Sequence, residues 1–156
     1  MSHVLIIFQT DTEHTEQLAL AVGVGAVEAE ANIRLRRLTA PGAVEVAHKG
    51  YGKLQSADLI WADTVVVGLE SLTPRPEELD TLLSLLAEAG PGKLNDKKAW
   101  TFSQNGFPAS KSDSQNLVES ALQVAGMVLL PMESLSAGTG DDLVGRMKAS
   151  GRLSIS

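Results

Sequence analysis

Three hydroxyls and an imidazole stand close together near the start of this chain, in the run Gln9-Thr-Asp-Thr-Glu-His-Thr15. Thr10, Thr12, His14 and Thr15 can all donate hydrogen bonds to an anion. They follow five apolar residues, Val4–Phe8, and precede a stretch rich in Ala, Glu, Leu and Gln. Strand, hydroxyl loop and helix in that order bring free backbone N–H groups and the positive end of a helix beside the hydroxyls, the physical recipe for holding a phosphate. Asp11 and Glu13 work against it, because a carboxylate beside a phosphate is repulsive unless it points outward. The same residues also suit a plainer role, since Thr12 with Thr15 and Glu16 supplies ordinary helix-capping chemistry. Both readings stand on the sequence.

The elements that position this loop follow a strand–helix alternation. Thr12–Ala31 reads as a helix with Leu18, Val22, Ala26 and Ala29 near helical spacing, stopped at Asn32. Val22-Gly-Val-Gly25 inside it signals close packing against a sheet. Ile33–Leu38 alternates apolar and basic residues as a strand near a sheet edge does. The cluster Arg34, Arg36, Arg37 reads there as a solvated, edge-protecting set. Pro41–Tyr51 reads as loop and Leu54–Ala62 as a short helix. Thr64–Gly68 is a second buried strand, followed by the loop Leu69–Pro76 and a helix over Glu77–Ala89. Lys98–Gln104 reads as a strand, Asn105–Ser110 as a loop and Ser114–Ala125 as a helix closed by Gly126. Val128–Leu130 is expected to be the last buried strand, with a loop over Ser136–Asp142 and a short helix over Leu143–Ala149.

Five strands alternating with helices predict an α/β domain whose parallel sheet is covered on both faces. Ligands of such sheets bind outside the carboxyl ends of the strands, at the switch point. The loops Gln9–Thr15, Leu69–Pro76 and Ser103–Lys111 are therefore expected to converge on one crevice.

Composition narrows the class. The 156 residues suit a single domain over 1–156. No apolar run approaches the ~20 residues that cross a bilayer, and Val4–Phe8 lacks the basic lead of a signal peptide. The absence of cysteine excludes thiolate chemistry and disulfides and suits a cytoplasmic protein. A net charge of −6 argues against nucleic-acid binding. His3, His14 and His48 are too scattered for a metal site, and neither a P-loop nor a nucleophile-elbow signature occurs. Trp61 and Trp100 are assigned to the core or an interface.

Val4–Ala19, Ala62–Gly68, Gly92–Lys98 leading into Trp100–Gly106, and Ala125-Gly-Met-Val-Leu-Leu-Pro131 together resemble the flavodoxin-like superfamily. They are most similar to its tryptophan-repressor-binding-protein-like branch of NAD(P)H:quinone oxidoreductases. The resemblance implies a three-layer, doubly wound fold with a five-stranded parallel sheet of order 2-1-3-4-5. It also implies FMN as cofactor, NAD(P)H as electron donor, a small redox substrate, and assembly as a homodimer or homotetramer. Carried onto this chain, Thr10, Thr12, His14 and Thr15 would hold the FMN phosphate, and Leu69, Ser71, Ser103, Asn105 and Gly106 would surround the ring. In an FMN-binding oxidoreductase, Lys111 or Arg75 would attract an anionic electron donor or a reduced ring. No catalytic side chain is assigned.

The chain departs from the family at Glu13, where glycine is usual, and at Glu70, which replaces a proline. It departs again at Ala109-Ser-Lys111, where the family has His-Gly-Gly. Two functions follow from the sequence: an FMN-binding oxidoreductase, or a flavodoxin-like domain without flavin that acts as a binding or assembly module.

Overall fold

The computed structural model describes residues 3–8, 13–37, 52–69, 76–88, 94–103 and 113–130. The elements are β1 (His3–Phe8), α1 (Glu13–Glu28), β2 (Asn32–Arg37), β3 (Gly52–Lys53) and α2 (Ser56–Trp61). They continue as β4 (Thr64–Leu69), α3 (Pro76–Glu88), β5 (Lys98–Ser103), α4 (Asp113–Val124) and β6 (Val128–Leu129). All strands pair in parallel. The sheet order is β3-β2-β1-β4-β5-β6. Without β3 this is the expected 2-1-3-4-5 arrangement. β3 is a two-residue addition outside β2 that pairs Gly52 and Lys53 with Arg36 and Arg37. Two residues are too few to carry a periodic signal, so Gly52 and Lys53, between the expected loop and helix, show no strand pattern in the sequence.

Alternation along each strand divides the core into two layers. Leu5, Ile7, Val65, Val67, Leu69 and Ala99 face the residues of α2, α3 and α4, among them Leu59, Leu82, Leu86, Val118 and Leu122. Val4, Ile6, Phe8, Val66, Trp100 and Phe102 form the opposite layer with Leu18, Ala19, Val22 and Ala26 of α1. Because β1 and β4 are covered on both faces, they read as unbroken apolar runs. Trp100 is core, at 2% exposure. Gly23 lets α1 sit close to the sheet, since a Cβ there would meet Ile33 Cδ1 at 3.0 Å.

Two helix ends share one device. At α4, Met127 N–H donates to Leu122 O and Gly126 N–H to Gln123 O, with Gly126 at φ 98°. At α1, Ala31 N–H donates to Ala26 O and Glu30 N–H to Val27 O, with Glu30 at φ 68°. Both are Schellman closures. The second corrects the expected stop: α1 ends at Glu28, Glu30 takes the left-handed position, and Asn32 opens β2.

The basic cluster is also corrected. Arg34 and Arg36 are not a solvated fringe. Asp58, 4% exposed in α2, accepts from Arg34 Nη1 and Arg36 Nε, each at 3.1 Å. The same carboxylate accepts the Gln55 backbone N–H at 3.0 Å, tying the start of α2 to the pair. Arg34 also lies 4.2 Å over the Trp61 ring, which stacks on His3 at 4.6 Å. Strand alternation explains the pattern: Ile33 and Leu35 pack with the α1 layer, while Arg34 and Arg36 meet α2. Lys97 Nζ donates to the carbonyls of Ile60 (3.1 Å) and Ala62 at the end of α2. A further correction concerns β6, expected to be buried. Val128 is 53% exposed, since a two-residue strand at the sheet margin takes cover from β5 on one side.

Candidate functional site

The carboxyl ends of the central strands lie in register. Phe8 pairs with Gly68, Gly68 with Phe102, and Leu69 with Ser103. The chain therefore leaves β1, β4 and β5 at one level, side by side. After Phe8, four residues, Gln9 to Thr12, separate the end of β1 from α1, which begins at Glu13. In an open α/β sheet this is the end where ligands sit, beside the strand at which the order reverses.

Four of the residues expected from the sequence to form the site fall within described elements. Leu69 is the last residue of β4 and fully buried. Ser103 is the last residue of β5 and the register partner of Leu69. His14 and Thr15 are the second and third residues of α1, in its first turn. Two strand ends and the start of one helix are thus brought to the same end of the sheet. Thr10, Thr12, Ser71, Asn105 and Gly106 lie outside the described residues, as do Arg75 and Lys111. Glu13 opens α1, so a carboxylate-bearing residue stands where the helix dipole is most positive.

One feature of this end was not legible as part of a site. Gly68, next to the end of β4, packs under the Phe102 ring, and a Cβ there would meet Phe102 Cε2 at 2.8 Å. The ring and the bare backbone fill the space between β4 and β5 just below the strand ends. A glycine inside a β-branched run is the signal that points to such close approach. Asp58 was missed as well; its three-residue spacing from Gln55 is the helix-start pattern that marks it. Among the described residues, no three His, Asp or Glu side chains come together as a metal site.

The architecture is that of the flavodoxin-like fold. Flavodoxin 2 from Bacillus cereus matches with a TM-score of 0.64 at 13% identity, over 99% of this chain and 98% of that one. A flavodoxin, WrbA-like protein from Agrobacterium tumefaciens matches with a TM-score of 0.60 at 17% identity, over 97% and 94%. In sequence, the chain is similar to an NAD(P)H dehydrogenase (quinone) of Chelativorans sp. (strain BNC1). The two are 29% identical over 160 residues, covering 92% of this chain and 78% of that protein. No protein-family model matches the chain. The structural likenesses show the flavodoxin-like fold.

Proposed function

We propose that the protein is a flavin-dependent oxidoreductase that binds FMN at the carboxyl end of its sheet and takes electrons from NAD(P)H. The observation that carries this reading is the register of Phe8, Gly68 and Phe102, with Leu69 beside Ser103, at the end of the sheet where α1 starts. The likeness to an NAD(P)H dehydrogenase (quinone) supports the same chemistry. The donor set fits the cofactor, because the first turn of a helix offers backbone N–H groups without helical partners next to hydroxyl-bearing residues. In this reading Thr10, Thr12, His14 and Thr15 hold the phosphate, and Leu69, Ser71, Ser103, Asn105 and Gly106 border the ring. FMN, when bound, supplies the hydride and electron chemistry. The chain's own residues anchor, orient and shield it, and Arg75 or Lys111 draws in the anionic donor. The same reading has the protein work in the cytoplasm as a homodimer or homotetramer. Among the described residues, no helix is long and apolar enough to cross a membrane.

A flavin-free binding module is the second reading, favoured by Glu13 at the first position of α1. Titration with FMN separates the two. Quenched flavin fluorescence and a shifted visible spectrum are expected at micromolar protein, with tighter binding in Glu13→Gly. Unchanged FMN fluorescence in both proteins would refute the oxidoreductase reading.

A further inference from the structure

We infer that the edge of β6 and the outer flank of α4 meet the same surface of a second copy of this chain, strand against strand about a two-fold axis at Leu129. This deepens the self-association in the reading above and rests on no part of flavin binding. Leu117, Ala121 and Val124 stand at i, i+4 and i+7 on α4, along one side of the helix. Leu117 is 49% exposed and Val124 89%. Val118 and Leu122 form the buried face, and on the far side Glu119 accepts from Thr101 Oγ1 of β5 at 2.5 Å. With Glu119 turned to β5, the apolar flank faces outward past β6, the last strand in the sheet order. Val128 and Leu130 donate their N–H groups to the carbonyls of Lys97 and Ala99. Alternation therefore turns the N–H and C=O of Leu129 to the open edge, ready to pair.

Charge identifies the occupant as a second copy. From Asn116 to Leu130 the only ionisable residue is Glu119, already committed to Thr101. Interface cores are depleted of charge in the same way. A chain of net charge −6 repels its copies over most of its surface and approaches them where no charge stands. The opposite margin of the sheet carries Lys53 on β3, the kind of charge that keeps edges from pairing. A second apolar stripe, Leu20, Val24 and Val27 on α1, runs between Glu16 and the exposed Glu28 and Glu30. A copy docked there would set carboxylates against carboxylates.

The spacing also closes. α4 contacts both β5 and β6 and so lies over the groove between them. Pairing β6 with its copy puts the two α4 axes two strand spacings apart, about 10 Å, which is the separation of packed helices. Leu117, Ala121 and Val124 of each copy then fill the space between the helices. Leu129 of each copy exchanges N–H and C=O with the other, as directly opposed residues of an antiparallel pair do. On the other face of the sheet Val128, 53% exposed, comes opposite Leu130 of the second copy as an apolar cross-strand pair. The contact is narrow, so the dimer belongs to the weak class.

Sedimentation equilibrium of the full chain at roughly 5–500 μM tests an interface of this size. Wild type should rise from 16.5 kDa towards twice that mass. V124K, which sets like charges face to face between the helices, should weaken association by roughly tenfold or more, while V24K on α1 should leave it unchanged. Register is read separately, because the chain has no cysteine and V128C and L130C supply the sole thiols. Mixed and mildly oxidised, these two variants should cross-link in higher yield than either alone, since position 128 faces position 130 across the axis. Wild type that stays at 16.5 kDa overturns the inference and the homo-oligomer reading together. A dimer that resists V124K, or that yields to V24K alone, overturns the inference and leaves that reading standing. FMN titration enters neither result, so the flavin reading stands or falls by itself. Should V124K fail to fold by circular dichroism, the cysteine pair decides: excess cross-linking in the mixture upholds the inference, and equal yields overturn it.

Discussion

Replacing Asp58 with alanine should cost about 2–3 kcal/mol of stability, worked from three hydrogen bonds to one carboxylate. The side chain is 6% exposed and accepts from Arg34, Arg36 and the Gln55 backbone N–H. Losing the acceptor at the start of α2 costs about 1 kcal/mol, as for other helix-start caps. A fully buried pair that loses one partner costs about 3–5 kcal/mol. Arg34 and Arg36 are 37% and 25% exposed, so water recovers much of their solvation once the carboxylate is gone. That discount leaves about 1–2 kcal/mol for the pairs. For a chain of this length the sum corresponds to a Tm lower by roughly 4–12 °C. Urea unfolding followed by circular dichroism measures the loss directly. Trp61 emission should change in the folded variant, because Arg34 lies over its ring. An Arg36→Met background should absorb part of the Asp58→Ala loss. A loss below about 0.5 kcal/mol, or full additivity of the two substitutions, would show that the carboxylate is not the anchor described.

Gly126→Ala forces a side chain onto a backbone at φ 98° and against Asn95, whose Cγ would lie 3.0 Å from the new Cβ. A loss of about 2–3 kcal/mol is expected in denaturant unfolding, and an unchanged midpoint would contradict the closure of α4. Glu30→Gly removes left-handed strain at φ 68° and should raise stability by about 0.5–1 kcal/mol, net of glycine's entropy; thermal unfolding that shows no gain refutes the strain. Gly68→Ala pushes on the Phe102 ring at the strand ends and should cost about 1–3 kcal/mol in the same denaturant assay. That variant should also weaken FMN binding, and unaltered affinity would separate this packing from the site.

Much of the fold was legible because periodicity survives in the sequence. Val4–Phe8 and Thr64–Gly68 read as strands since both faces of each are buried. Gly126 marked the end of α4 through its tolerance of positive φ. Glu30 carried no such mark, so the end of α1 was placed too late. Of the candidate site, the strand ends and their order were legible. The row of neighbours across them was not, because register depends on pairing between segments far apart in the chain.

The sequence by itself determined the alternation of elements, the flavodoxin-like order and the hydroxyl-bearing run with its opposing carboxylates. Those are local patterns of burial and chemistry. Only the tertiary structure decided what the arginines do. Strand alternation and parallel register sent Arg34 and Arg36 to a buried carboxylate on α2 and set position 37 between Phe8 and Lys53. A charge in a sequence has no partner until the sheet assembles, and that is why the basic cluster resembled a solvated fringe.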